Sequence, residues 1–168
     1  MNKMEHKMEH EITNRKLKSF PQFLKMFKEI KPLSNFDIVD MCKKLNIKNF
    51  KGVFMRDEIK GSPKSNECFI MNIDHSDNDG THWTSLFVKN GVCYYFDSYG
   101  FPPPNEIVKY CDGYERYFNS FEIQTDDRIQ ILCGHYCIYI LYLMDNGITF
   151  YDVISKLYSY GNLEEIFS

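Results

Sequence analysis

Three side chains in this sequence have the types and settings that thiol chemistry requires: Cys133, His82 and Asp97. Hydrolysis by a cysteine needs a thiol held partly as thiolate, a base to pair with it, a group that orients the base, and donors for the oxyanion. Cys133 stands where a polar loop, Thr125-Asp126-Asp127-Arg128, gives way to an apolar helix. At a helix start the macrodipole and free N–H groups favour a thiolate, and Gly134, directly after it, leaves room for a substrate backbone. On its own, Cys133 reads more simply as a small buried hydrophobe, the commonest fate of a free Cys. Cys137, one turn later, fits that description better.

His82 is the candidate base. It follows Gly80-Thr81 and precedes Trp83, at the mouth of a strand rather than inside one. His6 and His10 lie in a charged terminal segment, His75 in a polar loop, and His135 two residues past Cys133, on a different side of its helix. Asp97 is the candidate orienter. In a hairpin centred on Asn90-Gly91, residues whose numbers sum to about 180 face one another, which brings His82 close to position 97 or 98. The competing role for Asp97 is an Asx-type turn in Asp97-Ser98-Tyr99-Gly100.

The elements that must carry these groups follow from periodicity. Apolar residues from Lys18 to Ile30 recur at helical spacing, and a second helix starts behind Ser34 as N-cap and ends near Asn46. Cys68–Ile73, Thr84–Val88 and Val92–Phe96 read as strands, with a fourth at Ser120–Gln124. A helix follows Asn105 after the Pro102-Pro103-Pro104 run. A strongly apolar helix spans Cys133 to about Met144, stopped by Asn146-Gly147, and an amphipathic helix spans Phe150–Tyr158. This order predicts an α+β fold, with a central, mostly antiparallel sheet packed between helices.

At 168 residues and 20.0 kDa the chain has the size of one domain, and 43% hydrophobic residues exclude a disordered or fibrous class. Residues 1–16, with the tandem Lys3-Met4-Glu5-His6 and Lys7-Met8-Glu9-His10, are expected to be a flexible segment before a single domain over 17–168. A net charge of −3 gives DNA binding little support. No run reaches the roughly 18 apolar residues of a membrane span, and the charged N-terminus lacks the apolar region of a secretory signal. A chain that is not secreted keeps its six Cys as thiols. The one close pair, Cys133 and Cys137, lacks a matching second pair, so neither a metal nor a cofactor is expected.

Gly80-Thr81-His82-Trp83, then Cys93-Tyr94-Tyr95-Phe96-Asp97-Ser98-Tyr99-Gly100-Phe101, then Cys133-Gly134-His135-Tyr136-Cys137 together closely resemble the adenain family, the adenovirus-type cysteine proteases. That family is related more distantly to the ubiquitin-like-protein proteases. The likeness runs from about Asp37 to Met144, with a weaker stretch at Leu45–Gly61. It implies a papain-like, adenain-like fold with the nucleophile at the N-terminus of a buried helix. It also implies His82 as base, Asp97 as orienter, Cys133 as nucleophile, and Trp83 packed beside the imidazole. Relatives usually carry an oxyanion glutamine six or seven residues before the cysteine. Here Asp127 and Asp126 hold those places, leaving Gln124, nine before, or Gln130, three before. Gln124 with a lengthened loop is the favoured assignment, with the Cys133 N–H as the second donor.

The resemblance implies a viral maturation protease that cleaves capsid or core precursors after small residues such as Gly. It would work in the virion and in the host cytoplasm or viral factory, with a peptide as a possible activator. Three other functions compete: a processing protease or isopeptidase for ubiquitin-like proteins, a catalytically inactive binding module on the same scaffold, and an acyltransferase. The last would need a basic pocket for a phosphorylated cofactor, which the sequence does not show.

Overall fold

The computed structural model describes residues 17–77, 82–120, 122–123 and 131–159; the expected flexible segment 1–16 lies outside them. In chain order the elements are α1 (Phe20–Leu24), α2 (Asn35–Lys44), β1 (Phe50–Met55), a 3₁₀ turn (Arg56–Glu58), β2 (Glu67–Asn72), β3 (Trp83–Lys89), β4 (Val92–Phe96), α3 (Asn105–Tyr110), β5 (Glu115–Phe118), α4 (Cys133–Asp145) and α5 (Phe150–Ser159).

One five-stranded sheet forms in the order β1-β2-β3-β4-β5. The centre, β2-β3-β4, is antiparallel, whereas β1 joins β2 and β5 joins β4 in parallel. The fold class is α+β as expected, with a mixed sheet in place of a mostly antiparallel one. Asn90 and Gly91 take φ of 52° and 78°, the conformation of a type I′ turn, whose twist matches that of the strands it joins. This two-residue loop sets the β3–β4 register at Lys89↔Val92, Val88↔Cys93 and onward to Ser85↔Phe96.

Helices cover both faces of the sheet. On one face lies α4, buried along its whole length from Cys133 to Met144, with α1, α2 and α5 packed around it. Leu132, its N-cap residue, has no side-chain acceptor to offer. Burial holds the helix instead: side chains such as Ile138, Ile140, Leu141 and Leu143 contribute roughly 1.5–3 kcal/mol each, against about 1 kcal/mol for a cap. On the other face, Ile107, Tyr110 and Cys111 of α3 and its C-terminus close a second cluster over Phe69, Met71, Leu86, Val88, Cys93 and Tyr95.

Three elements differ from the sequence reading. The helix expected over Lys18–Ile30 stops at Leu24, because Phe27 leaves the helical path to pack edge-on against Phe23 and His135 (centroids 5.3 and 4.6 Å). Tertiary packing overrides local periodicity there. The strand expected at Ser120–Gln124 lies partly outside the described residues, and its described members Ser120, Glu122 and Ile123 form no strand; the partner of β4 is β5 at Glu115–Phe118, all four of whose residues are exposed. β1 falls in a stretch with no strand expected, and carries a register shift at Phe50/Gly52 where Gly52 takes a φ of 136°. The α2 start is as predicted, with a capping box in which Ser34 Oγ accepts from the Asp37 N–H (3.1 Å) and Asp37 Oδ2 from the Ser34 N–H (3.0 Å).

Candidate active site

His82 and Asp97 meet at the open end of the β3–β4 hairpin. The observed register pairs residues whose numbers sum to 181, one more than centring on 180 gives. Continued outward, it sets Asp97 opposite Thr84 and diagonal to His82, with both on one face; a one-residue slip would have put them on opposite faces. His82 Nε2 lies 2.8 Å from Asp97 Oδ1. Against a carboxylate, Nε2 is the protonated nitrogen and donates, which leaves Nδ1 for a second partner.

The thiol of Cys133 is near enough to the imidazole to favour its charged form. Cys133 begins α4 and is only 5% exposed. Trp83 donates its backbone N–H toward Cys133 Sγ (3.5 Å). Burial disfavours the His82 imidazolium, yet Asp97 and Cys133 outweigh burial and raise its pKa from 6.5 to about 9. The surroundings of the ring thus favour its charged form.

Asp97 is completely buried. Its Oδ1 also accepts the Tyr99 N–H (2.8 Å), and its carbonyl accepts the Gly100 N–H (2.8 Å). The Asx-type turn is therefore real and coexists with the contact to His82: one carboxylate oxygen serves both. Two predicted placements change. The ring beside the imidazole is Tyr99 (centroids 4.8 Å), while the Trp83 indole donates to the Leu33 carbonyl (3.0 Å). Gly134 meets that indole rather than open space, since a Cβ there would lie 3.1 Å from Trp83 Cδ1 and 3.3 Å from Leu33 Cδ1. Its lack of a side chain brings the 33–36 region and β3 onto the helix start, which shapes the wall of the site.

His135 faces away, edge-on to Phe27. Burial lowers its pKa to about 4, which the Ile131 carbonyl and the Asp37 charge offset only in part, so it is neutral packing. Cys137 is completely buried. Gln124 and Gln130 both lie outside the described residues; Ile123, just before Gln124, donates its N–H to the Ser98 carbonyl (2.8 Å). Among the described residues no cluster of His, Cys, Asp or Glu suits a metal ion, and no helix is long and apolar enough to cross a membrane. The sequence reading missed Asn119, whose buried side chain bonds the Asp97 backbone.

No protein-family model matches the chain, and comparison with curated proteins gives no match. Solved structures do match. A selenomethionine crystal structure of the ASFV pS273R protease aligns with a TM-score of 0.52 at 15% identity, over 79% of this chain and 67% of that one. A second crystal structure of the ASFV pS273R protease aligns with the same TM-score of 0.52 at 17% identity, over 79% of this chain and 66% of that one. The chain spans about two thirds of these neighbours' length, and the likeness is one of fold: the mixed sheet and its helices are arranged as in that protease.

Proposed function

We propose that this chain is a cysteine endopeptidase working through Cys133, His82 and Asp97. The observation that carries the reading is the imidazole of His82, bonded to the buried Asp97 carboxylate beside the thiol that opens α4, whose sulfur accepts the N–H of Trp83, the residue after His82. The fold likeness to a protease and the resemblance of the motifs to adenain support it. Cys133 Sγ, as thiolate, attacks the carbonyl carbon of a peptide bond, and the carbonyl electrons move to oxygen. The oxyanion is held by the Cys133 N–H at the start of α4 and by the Gln124 amide. Collapse of the adduct breaks the C–N bond as His82 gives its proton to the leaving amine. Neutral His82 then takes a proton from water, whose oxygen attacks the thioester and releases the acid. Asp97 keeps the ring oriented throughout.

The proposed substrates are capsid or core precursors cut after small residues such as Gly, in the virion and in the host cytoplasm or viral factory. The test is cleavage-site mapping on candidate capsid proteins with wild type and Cys133→Ala. Wild type should cut at discrete sites and the variant should not cut at all; a Cys133→Ala protein that still cleaves refutes the assignment.

A further inference from the structure

The side chain of Asn119 grips both backbone groups of Asp97. Its Oδ1 accepts the Asp97 N–H (3.1 Å) and its Nδ2 donates to the Asp97 carbonyl (2.6 Å). Asn119 is 3% exposed and Asp97 fully buried, so water cannot substitute for either bond. β5 pairs with β4 only as far as Tyr95↔Phe118. At the next residue a side-chain amide, with the same donor and acceptor as a peptide group, continues the pairing for one more step. Ile123 then bonds the Ser98 carbonyl (2.8 Å), so the chain after β5 is tied to residues 97 and 98 at two points.

We propose that Asn119 is a positioning residue of the site: its amide fixes the backbone of Asp97 and thereby aims the carboxylate at His82. The proposal rests on the reading of Cys133, His82 and Asp97 as a triad. Asp97 follows the last residue of β4, so no strand pairing holds its backbone N–H. Its carbonyl has a second partner in Gly100, whereas for its N–H the bond described is the one to Asn119. Without the amide, that buried N–H must turn to find another acceptor, and the turn carries the carboxylate with it.

The test replaces Asn119 by Ala in the full-length chain and reads two quantities. The first is kcat and KM on a cleaved peptide: kcat should fall about 100-fold, the cost of a misplacement near 1 Å, with KM within about twofold because substrate contacts are intact. The second is the NMR titration of the His82 imidazole in the folded protein, which should move down by about one pH unit or more as the carboxylate retreats. A residue that merely supports the fold would lower the melting temperature and leave that titration in place. If Asn119→Ala does not fold, Asn119→Leu, similar in shape but without donor or acceptor, takes its place. A folded variant with wild-type kcat and wild-type His82 titration overturns the proposal. The titration needs no substrate, so it judges the clasp even if the wild type cleaves nothing, a result that would sink the peptidase reading alone.

Discussion

The charge on His82 can be weighed through its linkage to stability. In the folded protein Asp97 and Cys133 outweigh burial and hold the imidazolium to about 9, against an ordinary value of 6.5. A raised pKa stabilises the fold fully below 6.5, and the stabilisation is lost as pH climbs through 9. At about 1.4 kcal/mol per pH unit the interval amounts to about 3 kcal/mol. The ring is only 12% exposed, so solvent screening removes little of it. The perturbation is His82→Gln, and the assay is urea unfolding of both proteins at about pH 6 and pH 10, on either side of that interval. Wild type should lose about 3 kcal/mol more than the variant between those two conditions. Other titrating groups cancel in the comparison, apart from the Cys133 thiol near the ring. Repeating the pair in a Cys133→Ala background leaves Asp97 as the partner, and the difference should shrink but stay above roughly 1 kcal/mol. On the peptidase reading, the same titration should set the alkaline limb of kcat/KM, near pH 9 in the wild type. Equal loss of stability in wild type and His82→Gln would show that the imidazolium has no partner, and the triad reasoning would fail with it.

Other perturbations act through packing and through the opposite sign of linkage. Gly134→Ala puts a methyl 3.1 Å from Trp83 Cδ1 and 3.3 Å from Leu33 Cδ1, two groups tied by the indole–carbonyl bond and unable to yield easily. It should cost about 1–3 kcal/mol, read as a lower melting temperature, and an unchanged temperature would show that the contact is slack. His135 is held neutral, with its pKa near 4, so the unfolded chain binds the proton first. Stability is then complete above 6.5 and drains away as pH falls towards 4. His135→Leu should remove up to about 3 kcal/mol of acid sensitivity between these limits. An acid unfolding curve that does not move on that substitution would place the sensitivity elsewhere.

What could be read from the residues follows from how local the signal is. Asn90-Gly91 forces a tight turn, so the hairpin and the approach of His82 to Asp97 were legible from a dipeptide and a count. The α4 helix announced itself through an unbroken apolar run from Cys137 to Met144. β1 and β5 did not, for different reasons: β1 carries a glycine and a register shift, and β5 buries none of its four side chains, so neither shows the alternation that marks a strand. Both also pair in parallel with strands reached by long connections. Asn119 was illegible because its side chain imitates a peptide group, and no spacing rule distinguishes such an Asn from one in a solvated turn. Tyr99 went unread beside His82 because it comes from the turn after β4, whose path back to the imidazole no motif in the sequence marks.

The hairpin described above places two of the three groups on one sixteen-residue piece of chain, His82 to Asp97, and the third on a helix from a different layer. The acid and base can find each other as soon as a short loop closes, whereas the sulfur joins them only when α4 seats against β3. Until then the thiol has no base beside it and no rigid amide to cradle an oxyanion. On the proposed peptidase reading, a nascent or half-assembled copy would carry a dormant cysteine, and neighbouring chains would be safe from it during synthesis. On that reading, reactivity would arrive together with the finished core, so the same docking event that completes the molecule would also arm it.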